Sequence, residues 1–107
     1  MGRCKKLEVW QLSKDLAVQI IQTTENGPLK NRVGLKDPLQ RSSLGVPSNV
    51  AEGKESGSNP NAIRYFRIAK GSLAELKTQL TIYSESDLID LSLFEDLHSK
   101  AELTYCS

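Results

Sequence analysis

The residues best equipped for chemistry are few: one histidine, two cysteines and a scatter of carboxylates. His98 follows Glu95 by three positions, the spacing with which carboxylate-bridged di-iron bundles set two ligands on one helix face. Such a centre needs a second Glu-x-x-His and two more glutamates on other helices, and a chain with a single histidine cannot supply them. His98 is therefore read as a surface residue near a helix end, and neither a metal nor another cofactor is expected. Cys4 and Cys106 have only that histidine as a possible base, and both sit beside chain ends of the kind that fray. Without a Cys-x-x-Cys spacing they read as free thiols, a disulfide joining the two ends being the alternative. Gly53 and Gly57 lead into Ser58 and Asn59 rather than the Gly-Lys-Ser/Thr ending of a phosphate-cradling loop. The expectation is a protein that is not an enzyme, has no catalytic residues and takes no small-molecule substrate.

The basic residues offer a different kind of chemistry. On a helical projection of residues 62–83, Arg67, Lys70 and Lys77 share one flank, roughly 60 to 140 degrees from the apolar seam at 100 degrees per residue, with Arg64 farther round. Together with Arg41 and the cluster Arg3, Lys5 and Lys6, they would make a positive strip able to neutralise phosphates. The competing reading is an ordinary solvated flank, interleaved with Glu75 and Glu85. A net charge of +1 over 107 residues is not that of a dedicated DNA binder, so any phosphate binding must come from local patches. Trp10, the only tryptophan, reads as a core or subunit-contact anchor, because a base-stacking platform usually needs several exposed aromatics.

Helices must position these groups. From about residue 9 to 25, Val9, Leu12, Leu16 and Ile20 recur at helical spacing, widened by Ala17 and Ile21. Asn26-Gly27-Pro28 ends that helix, and Leu29 to Val33 reads as a loop. Leu35, Leu39, Ser43, Val46 and Val50 predict a second helix over about 35–54, with Pro38 as a tolerated first-turn residue. Pro47 would clash with the carbonyl of Ser43, so a kink or break is expected there. After a polar loop, Asn59 as N-cap and Pro60 at the first helical position open a third helix over about 60–84. Its apolar residues Ala62, Phe66, Ala69, Leu73, Leu76, Leu80 and Tyr83 alternate steps of four and three, an unbroken heptad seam. Leu91, Phe94, Leu97 and Ala101 mark a short fourth helix over about 91–105.

The fold class that follows is all-α, a single left-handed up-down-up-down four-helix bundle spanning 1–107. A hydrophobic content of 38% suffices for one such core and not for two. No apolar run approaches the roughly 20 residues of a membrane span, and nothing reads as a signal peptide, so a soluble cytoplasmic protein is expected.

Three segments carry a resemblance: Leu7 to Lys14 (LEVWQLSK), Gly45 to Gly53 (GVPSNVAEG) and Phe66 to Leu76 (FRIAKGSLAEL). They resemble the four-helix bundle proteins encoded in intervening sequences of bacterial 23S ribosomal RNA genes, over roughly Leu7 to Leu97. The resemblance implies a left-handed bundle assembled as a homopentameric ring. It also implies kinship with accessory proteins of diversity-generating retroelements, which bind a reverse transcriptase and RNA through basic surfaces. Asn49, Glu52, Arg67, Ser72 and Glu75 match the family's polar positions. The resemblance gives them the part of tying the second and third helices together or lining a subunit contact. Relatives usually carry a basic pair followed by alanines where this chain has Gln40-Arg41-Ser42-Ser43, so one cation is lost. Two functions remain in play: an RNA or reverse-transcriptase accessory module using Arg41, Arg64, Arg67, Lys70 and Lys77, and a purely structural or protein-interaction oligomer held through contacts such as Trp10.

Overall fold

A computed structural model of the chain describes residues 6–57 and 59–105. They form four helices, α1 (Lys6–Asn26), α2 (Val33–Glu55), α3 (Pro60–Glu85) and α4 (Leu91–Tyr105), with no strand among the described residues. The body measures 42 × 23 × 18 Å. The helices that touch are α1 with α2, α2 with α3, α3 with α4, and α4 with α1. No described helix is long and apolar enough to cross a membrane.

The heptad seam of α3 is the axis of the core. Ala62, Ala69, Leu73, Leu76, Leu80 and Tyr83 are all buried, and the Phe66 ring lies against Gly53 of α2. Leu73, Leu76 and Leu80 meet Leu16 and Ile20 of α1, Leu39 and Val46 of α2, and Leu97 and Ala101 of α4 in one cluster. A smaller cluster of Val9, Val50 and Ala69, with Trp10 packed on it, completes the interior. The start of α3 is set as its sequence dictates: Asn59 Oδ1 accepts from the backbone of Asn61 at 2.9 Å and Ala62 at 3.2 Å, and Pro60 follows the cap.

Contacts between α2 and α3 run in opposite numerical directions. Phe66 meets Gly53, Ser72 meets Gly45, the Ser42 hydroxyl donates to Gln79 Oε1 at 2.6 Å, and the Tyr83 hydroxyl donates to the Leu35 carbonyl at 2.7 Å. The two glycines let the helices close up. A Cβ on Gly45 would stand 2.7 Å from Ser72 Oγ, and one on Gly53 would stand 2.5 Å from a carbon of the Phe66 ring. Glycine inside a helix costs about 0.5–1 kcal/mol relative to alanine, so its presence here is explained by the side chain pressed against it.

Several expectations are revised. Leu12 faces outward at 37% exposure, while Ser13 and Thr24 are buried on α1. Their hydroxyls donate to the carbonyls of Trp10 and Ile20 in their own helix, which removes the cost of burying them. Helix α2 begins at Val33, so Pro38 is its sixth residue and not part of the first turn. It is also continuous through the buried Pro47, without the break that the lost Ser43 bond suggested. The Asn49 amide, donating to the Gly45 carbonyl at 2.7 Å, clips the turn that contains Pro47. Leu91 stands 65% exposed instead of marking the apolar face of α4. Two connecting residues that no helical period could flag, Leu29 and Ile89, are buried in the main cluster.

Candidate nucleic-acid interface

The cations divide according to which neighbour each helix face meets. Ser72 and Gln79 turn one flank of α3 toward α2. Lys77 lies on the opposite flank, where its ammonium pairs with Glu102 of α4 at 3.0 Å. Lys70 precedes Lys77 by one heptad, so the two share the side of α3 on which α4 packs. Both are half-buried. Arg41 is exposed on α2, on the other side of α3 from Lys77. The sequence-derived strip is therefore not one surface: Lys70 and Lys77 keep a common flank toward α4, Arg67 turns outward with Arg64, and Arg41 stands apart from both.

Arg64 and Arg67 lie on the outward face of α3, both exposed. With Pro60, Ile63 and Ile68 they line a shallow groove of about 490 Å³. Ile63 and Ile68 remain 52% and 41% exposed, so the two guanidinium groups rise from an apolar bed. None of the four described arginines, Arg32, Arg41, Arg64 and Arg67, makes an ion pair among the described residues. The lysines behave otherwise, with Lys14, Lys36, Lys77 and Lys100 each paired to a carboxylate. A guanidinium held in water with its fork of donors unused is suited to bidentate recognition of phosphate. Arg32, in the turn before α2, carries no periodic signal in the sequence beyond the basic run Lys30-Asn31-Arg32. Arg3, Cys4, Lys5 and Cys106 lie outside the described residues, as does the Lys6 side chain.

Of the residues matching the family's polar positions, Ser72 alone presses on the neighbouring helix, through Gly45. Asn49 serves its own helix, and Glu52 and Glu75 are exposed. Polar ties between helices are made by others. The Gln40 amide donates to Thr24 Oγ1 at 2.8 Å and to Glu25 at 3.0 Å, and Ser42 reaches Gln79. At Gln40-Arg41-Ser42-Ser43, then, the chain has polar groups that stitch α1, α2 and α3 together. Hydrogen bonds from Gln40 and then Lys36 hold Glu25 below the usual carboxylate range, and those from Gln19 and Lys100 do the same for Asp96. Burial pushes the Tyr83 phenol up.

Trp10 is half-buried at the edge of the small cluster, beside Ala51, Lys54 and Glu55, with the Lys14 ammonium 5.8 Å from the ring centre. It anchors α1 on α2 and keeps part of its ring in solvent. His98 stacks at 5.1 Å on Phe94 and stands 4.0 Å from Glu102, while Glu95 is exposed. No group of three or more metal-binding side chains occurs among the described residues.

A bundle of four amphipathic helices with unpaired arginines on its outer faces defines the class: a helical scaffold that offers surfaces. The particular family is the 23S rRNA-intervening sequence protein, whose model matches residues 5–104, and the chain belongs to it. Curated proteins contain no match to the chain.

Proposed function

We propose that the chain is a non-enzymatic homo-oligomer, a pentamer if it assembles as the family resemblance implies, of left-handed up-down-up-down bundles, acting in the cytoplasm as an accessory module that holds RNA. The opposed numbering of the α2–α3 contacts, and the ring in which each helix touches the next, support the topology. The observation that carries the RNA reading is the set of exposed arginines without carboxylate partners, Arg64 and Arg67 foremost. The family description, which refers to an intervening sequence of 23S rRNA, agrees with an RNA context. A reverse transcriptase bound together with the RNA is the protein partner that fits the same reading. Lys70 adds positive charge on the α4 side, where Glu102 offsets that of Lys77, and Arg41 supplies a separate contact.

Arg64→Glu with Arg67→Glu tests it, with binding to a structured RNA followed by fluorescence anisotropy at low salt. Both side chains are exposed, so folding should survive; affinity should fall at least about tenfold. Unchanged affinity would remove the reading.

A second reading, a structural oligomer without RNA, is favoured by the isoleucines left in water on α3, Ile63, Ile68 and Ile82, at 52%, 41% and 54% exposure. In that case Ile68→Glu or Trp10→Ala lowers the mass in solution, whereas the arginine pair leaves partner capture intact.

A further inference from the structure

Where the α1–α2 and α3–α4 connections meet at one end of the bundle, a hollow of about 800 Å³ opens. That size falls within the roughly 300–1,000 Å³ of pockets that take small organic ligands. Its floor is apolar, since Leu29 and Ile89, both buried, belong to its lining. Leu91, at the edge, is 65% exposed, a large apolar side chain left in water beside a concave apolar surface.

The polar side of the hollow has one sign. Asp87 and Asp90 line it, no lysine, arginine or histidine does, and neither aspartate makes an ion pair among the described residues. Asp87 is the described non-glycine residue with a left-handed backbone, at φ 61°. Asp90 Oδ1 caps α4 by accepting from the Leu93 amide at 2.7 Å, and no described residue takes its second oxygen. Both aspartates are exposed, so an anion would meet two like charges here, whereas a cation gains two solvent-screened contacts that a neutral molecule lacks.

We propose that this hollow binds a small amphiphilic cation, with an ammonium group at Asp87 and Asp90 and a short aliphatic body over Leu29, Ile89 and Leu91. The site is at the loop end and stands independently of RNA binding at the arginines.

The test titrates hexylammonium and, as its neutral counterpart, hexanol into the full-length protein at low salt, following the methyl resonances of Leu29 and Ile89. Hexylammonium should produce saturable shifts with an affinity about tenfold above that of hexanol, the worth of two exposed charge contacts. Asp87→Asn with Asp90→Asn should bring the amine down to the affinity of the alcohol. Asparagine tolerates the left-handed conformation and still caps a helix, so the double variant keeps the fold, which circular dichroism checks. Equal affinity of amine and alcohol, unchanged affinity in the double variant, or the absence of saturable shifts would each overturn the proposal.

Discussion

The same substitution, glycine to alanine, should act with opposite signs at two positions of this bundle. At Gly53 the new Cβ would lie 2.5, 2.8 and 2.9 Å from three carbons of the Phe66 ring. Ordinary carbon contacts are about 3.5–4.0 Å, so ring or helix must move by roughly 1 Å. Overpacking of this kind costs about 1–3 kcal/mol, against a gain of about 0.8–1 kcal/mol in helix propensity, which is reduced near the end of α2. The net is a loss of about 1 kcal/mol, or about 4–8 °C in Tm for a domain of this size. At Gly71, exposed in the middle of α3, nothing lies within 4 Å of the added carbon. There the propensity gain stands alone, and Tm should rise by a similar amount. Thermal denaturation followed by circular dichroism reads both. Phe66→Leu should relieve the Gly53→Ala penalty, so that the double variant loses less than the two single changes added together. A rise in Tm for Gly53→Ala, matching that of Gly71→Ala, would refute the close approach of α3 to α2.

Two further outcomes follow from the polar contacts. Tyr83→Phe removes the donor to the Leu35 carbonyl while keeping the ring, and should cost about 1 kcal/mol in urea denaturation. Glu25 and Asp96 have lowered folded-state pKa values. Their contribution is therefore full above the ordinary carboxylate values near about 4 and is lost as pH falls through the depressed ones. Glu25→Gln with Asp96→Asn should accordingly lose less Tm than the unmodified chain between about pH 5 and pH 2.

The helices were legible because periodicity is a local property. The seam from Ala62 to Tyr83 and the Asn59-Pro60 start of α3 needed no knowledge of the neighbours, and each is found where its residues put it. What the pattern cannot carry is the direction from which a neighbour arrives. Ser13 replaced Leu12 on the buried side of α1 because small hydroxyls can be satisfied by their own helix and let a partner come close. Leu29 and Ile89 escaped notice because a single apolar residue in a connection has no period. For the same reason a projection of α3 alone grouped Lys77 with the other cations of its flank, when α4 brings Glu102 to it, and joined to them an Arg41 that α2 holds on the far side. The arginines of the outward face, Arg64 and Arg67, were legible as residues; that they stay unpaired depends on which carboxylates the fold brings near them.

The salt dependence of RNA binding tests the central claim most directly. If Arg41, Arg64 and Arg67 each neutralise a phosphate, the logarithm of the binding constant should fall against the logarithm of salt with a slope of about −2.1 to −2.7, a loss of about 20- to 40-fold between about 50 and 200 mM. Binding that does not change with salt, or no binding to structured RNA at low salt, would contradict the account.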